Sequence, residues 1–124
     1  MTNYKQLTKA EEEIMLYFWE LGKCTVSEII NTMEEPRPPH SSISTIVRIL
    51  EKKGFLDHKA YGRTYEYFPQ ISKEEYSNQS IDKMVIDYFD GSYTNLVSFI
   101  AKEKDMSVKE INELFKLLDE PEGQ

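Results

Sequence analysis

At 124 residues the chain has room for one ordinary domain, or for a small domain with a helical appendage. Its content of 40% hydrophobic and 12% aromatic residues is ample for a core and argues against global disorder. The absence of a span-length apolar run or a basic-then-apolar leader makes the cytoplasm the expected location, without membrane insertion. Cys24 is the single cysteine and cannot close an intramolecular disulfide, and the formal net charge of −7, taken whole, argues against nucleic acid as a partner.

In chain order, Thr8-Lys-Ala-Glu11 is a capping box, in which a hydroxyl and a carboxylate satisfy the first backbone donors of a helix. Ile14, Met15, Phe18, Trp19 and Leu21 supply a broad apolar stripe, and Gly22 ends it. An indole in such a stripe is expected in the core rather than as a binding platform. A second box, Thr25-Val-Ser-Glu28, opens a short helix with Ile29, Ile30 and Met33 inward, which Glu34-Glu35-Pro36 stops. Pro36, Pro38 and Pro39 form a stiff connector.

The next stretch, His40 to Gly54, reads as a helix with Ile43, Ile46, Val47 and Leu50 on one side. Ser41, Ser42, Thr45, Arg48 and Lys52 fall on the other, with Lys53 as a second lysine and Gly54 closing the helix. Hydroxyls bond phosphates and base edges alike, and an arginine can grip guanine O6 and N7 with two parallel donors. Two helices, a break and a third helix of this kind predict a helix-turn-helix whose third helix reads a DNA groove. After Gly54 the period changes from helical to alternating. Residues 55–59 and 63–68 read as two strands around Ala60-Tyr61-Gly62, a hairpin wing with Lys59 and Arg63 near its tip, placed for backbone phosphates.

Beyond Pro69 a third box, Ser72-Lys-Glu-Glu75, opens a helix with Tyr76, Ile81, Met84, Val85, Tyr88 and Phe89 as its apolar positions, ended by Gly91. Ser92 or Thr94 caps a shorter helix carrying Leu96, Val97, Phe99 and Ile100. A fourth box, Ser107-Val-Lys-Glu110, starts a last helix with Ile111, Leu114, Phe115, Leu117 and Leu118, before a frayed tail, Glu120 to Gln124. The expected fold is mostly α with a small β-hairpin wing: a winged helix-turn-helix over residues 1–71, then a three-helix dimerisation region over residues 72–124. Three helices of this length sit near the lower limit for closing a core alone. Pairing with a second copy would bury their surplus apolar stripes, through Met84, Val85, Tyr88, Phe89, Leu96, Val97, Ile100, Ile111, Leu114, Phe115 and Leu118.

Charge is distributed along the same division. Between residues 37 and 71 the bases Arg37, Arg48, Lys52, Lys53, Lys59 and Arg63 face only Glu51, Asp57 and Glu66, whereas acids outnumber lysines two to one from Ser72 onward. A basic segment between acidic flanks fits a partner met by one face only. One helix with a single arginine discriminates a base by only about 1–3 kcal/mol, so a homodimer reading two half-sites is the expected device.

These residues resemble the penicillinase-repressor family of bacterial regulators, of the BlaI and MecI type, with copper-responsive repressors as relatives. The resemblance runs from about Leu7 to Leu118. It rests on Leu7-Thr-Lys-Ala-Glu11 with Ile14, Met15 and Trp19, on Thr45-Ile-Val-Arg-Ile-Leu-Glu-Lys-Lys-Gly-Phe-Leu56, and on Asn95-Leu-Val-Ser-Phe99 followed by Ser107-Val-Lys-Glu-Ile-Asn-Glu-Leu114. It implies a dimeric repressor of a palindromic double-stranded DNA operator, connected with antibiotic resistance. Its base- and phosphate-contacting positions would be Ser41, Ser42, Thr45 and Arg48, with Ser41 in place of a lysine common in relatives. It also implies derepression when a membrane sensor metalloprotease leads to a cut in the dimerisation region. In the family that cut lies between Asn and Phe. Ser98-Phe99 corresponds to it here, with Ser in place of Asn and Phe99-Ile100 as the alternative bond; a buried helix at the dimer interface is an equally good reading of the segment.

No cofactor is expected. Cys24, His40 and His58 lack metal-ligand spacing, so no metal site is expected, and His58 is read as facing solvent or phosphate. The chain carries no nucleophile elbow and no phosphate-binding glycine loop, which argues against an enzyme. A winged helix used for protein–protein assembly and a small-molecule-responsive repressor are the alternatives.

Overall fold

The computed structural model describes residues 6–119; the side chains of residues 115 and 117–119 are outside that description, as is the tail beyond it. In order, the chain forms α1 (Lys9–Leu21), α2 (Val26–Thr32), α3 (His40–Lys52), β1 (Leu56–Tyr61), β2 (Thr64–Pro69), α4 (Lys73–Tyr88), α5 (Tyr93–Glu103) and α6 (Val108–Asp119). It divides into two compact units, residues 1–77 and 78–124.

Four helix starts form as their local spacing dictates. Thr8 and Glu11, Thr25 and Glu28, Ser72 and Glu75, and Ser107 and Glu110 exchange reciprocal side-chain to backbone hydrogen bonds. Each box satisfies two donors that the first turn leaves without an intrahelical acceptor. At the fifth helix Ser92 is the cap, its hydroxyl accepting from the Asn95 N–H.

The core of the first unit is one cluster. Ile14, Met15 and Phe18 of α1, Ile29 of α2, and Ile43, Val47 and Leu50 of α3 meet Phe55, which leads into β1, and Leu56 and Tyr67 of the hairpin. Trp19 packs against this cluster, half-buried, and its indole N–H donates to the Ile71 carbonyl at 2.8 Å. The apolar stripe of α1 stops short of Leu21, which is exposed at the last turn of the helix. Tyr76, in the first turn of α4, also belongs to the cluster: its ring lies 5.5 Å from Phe55 and 5.7 Å from Trp19, and its hydroxyl donates to Glu12 at 2.6 Å. This anchoring carries the compact N-terminal unit past Ile71 into α4.

The two strands pair antiparallel from Leu56↔Pro69 to Tyr61↔Thr64. The turn is therefore Gly62-Arg63, one step further on than the alternating pattern implied. A two-residue loop matches the right-handed twist of the strands, and Gly62 takes the positive φ of +65° that its first position requires. Cys24, between α1 and α2, adds a third short edge, exchanging two 2.9 Å backbone hydrogen bonds with Tyr67.

In the second unit Val85 and Val97 are each 2% exposed within a single chain, and Phe89 packs on Phe99 with ring centroids 5.5 Å apart. Ile81, Met84, Ile86, Tyr88, Phe99 and Val108 stay substantially exposed. Among the described residues no helix is long and apolar enough to cross a membrane.

Candidate nucleic-acid interface

The third helix is held by its inner face and open on its outer one. Ile43, Val47 and Leu50 are buried and Ile46 is partly so, which leaves Ser41, Ser42, Thr45, Arg48 and Lys52 exposed. At about 100° per residue, Ser41, Thr45, Arg48 and Lys52 fall within about 60° of one another and span roughly 16 Å along the axis. Ser42 lies further round, beside the exposed Ile49, which the sequence pattern did not single out. The Thr45 hydroxyl donates to the Ser41 carbonyl at 2.9 Å, so its oxygen faces outward as an acceptor. Among the described residues Arg48 and Lys52 have no ion-pair or hydrogen-bond partner, so both cations are available to an external anion.

Lys53 is different. It follows Lys52 directly but is the C-terminal cap, and its ammonium turns back into the protein. It meets the Glu11 carboxylate at 2.6 Å and the Gln6 carbonyl at 3.3 Å. Lys53 therefore leaves the outward basic face and ties the end of α3 to the start of α1. Glu11 is the one buried charged residue among those described, 6% exposed. Burial alone would raise its carboxyl. The hydrogen bond and charge of Lys53, with the backbone N–H and hydroxyl of Thr8, outweigh that and hold it below its ordinary value.

Arg37 is also withdrawn from the basic footprint. Its guanidinium donates to the Met33 carbonyl at 3.0 Å and the Asn31 carbonyl at 3.3 Å, and pairs with Glu35 at 3.6 Å. It thus satisfies free carbonyls where α2 ends.

The hairpin carries the second group of cations. Arg63 sits in the two-residue turn itself, and Lys59 holds its ammonium 5.7 Å over the ring of Tyr61. Tyr61 and Tyr65 are about half exposed, which gives the wing an aromatic character that strand periodicity alone does not flag. His58 does not point to solvent: its Nδ1 meets the Glu51 carboxylate of α3, and its ring stacks on Tyr65 at 4.3 Å with planes 16° apart. The root of the wing is therefore tied to the last turn of the exposed helix.

In the second unit, the residues expected at a dimer interface occupy different environments. Val85 and Val97 are enclosed within one chain. Phe89, Leu96, Ile100, Ile111 and Leu114 are partly covered, and Met84 and Tyr88 are 43% and 78% exposed. The side chains of Phe115 and Leu118 lie outside the described residues. Ser98 and Phe99 are exposed on α5.

Comparison with known proteins gives a consistent result. A family model described as "Penicillinase repressor" matches residues 7–120. The chain is 27% identical over 121 residues to the penicillinase repressor of Bacillus licheniformis, spanning 97% of this chain and 94% of that one. It is 24% identical over 115 residues to the methicillin resistance regulatory protein MecI of Staphylococcus aureus, spanning 92% and 94% respectively. Among solved structures, the solution structure of the DNA-binding domain of the repressor BlaI is similar at a TM-score of 0.52 and 30% identity. That likeness covers 61% of this chain and 94% of that one. The winged helix with a helical C-terminal region, and the match over nearly the whole length, place this chain in the penicillinase repressor family of DNA-binding repressors.

Proposed function

We propose that this protein is a homodimeric transcriptional repressor that lays α3 in the major groove of a palindromic operator, sets its wing on the flanking phosphates and pairs through α4–α6. The observation that carries this reading is the file of Ser41, Thr45, Arg48 and Lys52 along one open face of a helix whose other face is sealed into the core. Arg48 reads a base, the hydroxyls and Lys52 hold phosphates, and Lys59 and Arg63 add contacts that carry no sequence preference. Such a repressor works in the cytoplasm.

The exposed apolar side chains of the second unit support pairing. Ile86, Tyr88 and Val108 are each more than two-thirds exposed, an arrangement that a second copy relieves. In that dimer Met84 and Tyr88 make contacts across the interface, while Val85 and Val97 stiffen each subunit beneath it. Cleavage at Ser98-Phe99 by a protease activated through a membrane sensor would break α5 and release the operator; the exposure of both residues favours access.

Footprinting upstream of the protein's own gene tests the whole reading, with a protected palindrome of two half-sites as the expected result. Tyr88→Asp should produce monomers in sedimentation and lose operator affinity while α3 stays untouched. A monomeric wild-type protein at micromolar concentration, or a Tyr88→Asp monomer that binds the operator as tightly as wild type, would refute dimeric reading.

A further inference from the structure

We infer that Glu51, Asp57 and His58 form a site for a divalent transition cation, of which Zn²⁺ is the representative, at the junction of α3 and the wing. One carboxylate oxygen of Glu51, one of Asp57 and Nδ1 or Nε2 of His58 all lie within 4.8 Å of one another. They come from two elements, the last turn of α3 and the first strand of the hairpin, and the fold brings them together at its surface.

The donor set fits such an ion. An imidazole nitrogen with two carboxylate oxygens suits borderline first-row divalent cations. Zinc binds nitrogen at about 2.0–2.1 Å and carboxylate oxygen at about 2.0–2.2 Å, which places neighbouring donors about 3–3.5 Å apart. The triad reaches that spacing by side-chain rotation, the ion taking the place of the direct His58–Glu51 contact. Charge points the same way: the two carboxylates bring two negative charges to one place, which a divalent ion balances. Supporting contacts are already in place. The Gln70 amide donates to Asp57 Oδ2 at 3.2 Å, the His58 N–H donates to Asp57 Oδ1 at 2.8 Å, and Tyr65 fixes the plane of the imidazole. Asp57 is exposed, so water can complete the coordination.

A bound ion would clamp the wing to α3 and offset the charge of the two carboxylates that stand near the phosphates. This consequence for DNA rests on the repressor reading; the binding of the ion does not.

The test is calorimetric titration of the EDTA-stripped, full-length protein with Zn²⁺ alone, without DNA and with Mg²⁺ as the control ion. One Zn²⁺ per chain is expected, with affinity weakened more than about 100-fold in His58→Ala and about 10-fold in Gln70→Ala, which removes only a supporting contact. Arg48→Ala should bind Zn²⁺ like wild type. The Asp57→Asn variant, altered at an exposed position, guards against misfolding and should also lose the ion. Zinc binding that is absent, or unchanged in His58→Ala and Asp57→Asn, overturns the proposal. Operator affinity measured with and without Zn²⁺ then tests the consequence for DNA: a rise in wild type but not in Asp57→Asn supports the clamp, and no change confines the ion to the protein alone.

Discussion

Replacing Lys53 with methionine keeps most of its apolar stem but leaves the Glu11 carboxylate buried without its cation. Breaking a fully buried ion pair from one side costs about 3–5 kcal/mol. The loss here should be smaller, because the Lys53 side chain is 21% exposed and Glu11 still accepts the Thr8 N–H at 2.9 Å. About 2–3 kcal/mol at neutral pH follows. Adding Glu11→Gln removes the stranded charge while its amide oxygen keeps the Thr8 bond, so the double variant should lie only about 1 kcal/mol below wild type.

Urea denaturation of the four proteins, wild type, two single variants and the double, yields the coupling between the two positions. The Glu11 carboxyl is held below its ordinary value of 4.5, so the stabilisation by the pair is complete above that pH and is lost as pH falls through the folded value. The gap between wild type and Lys53→Met should therefore narrow in acid. Lys53→Met should also bind operator like wild type wherever it is folded, because Lys53 lies off the outward face. A loss under about 0.5 kcal/mol, or a double variant as unstable as the sum of the singles, would refute the reasoning.

Other consequences can be measured directly. Arg48→Ala should relax base preference at one operator position by about 1–3 kcal/mol, whereas Arg63→Ala should weaken all sequences alike and lower the salt slope by about one; competition binding across salt concentrations separates the two. Trp19→Phe removes the donor to the Ile71 carbonyl and should destabilise the first unit by about 1 kcal/mol, read as a shifted urea midpoint at unchanged slope. Burial, with smaller contributions from Glu28 and Glu66, pushes the Cys24 thiol up to about 11, so a maleimide should leave the native protein unlabelled at pH 8 and label it once urea unfolds the chain.

Much of the architecture was legible because it is local. A capping box closes over three residues, and all four boxes formed where their Thr/Ser-x-x-Glu spacing stood. Helical periodicity likewise separates Val47 and Leu50 from Arg48 and Lys52 whatever they pack against, so the open face of α3 could be read in advance. The hairpin turn was missed by a residue because Gly62 satisfies either placement; strand register, set by pairing across the hairpin, decided it.

By itself the sequence determined the order of the elements, the four boxed helix starts, the sealed and open faces of α3, and the family. Tertiary structure alone decided which charges remain open. Lys52 and Lys53 are neighbours of the same type, yet only Lys53 meets a carboxylate from 42 positions earlier. His58, which the sequence places toward solvent or phosphate, meets Glu51 and Tyr65 in the fold, and Arg37, one of the bases of the basic segment, gives its donors to the end of α2. Periodicity is a property of the backbone and survives any packing, whereas the partner of a long charged side chain depends on which distant segment arrives within a few ångströms of it.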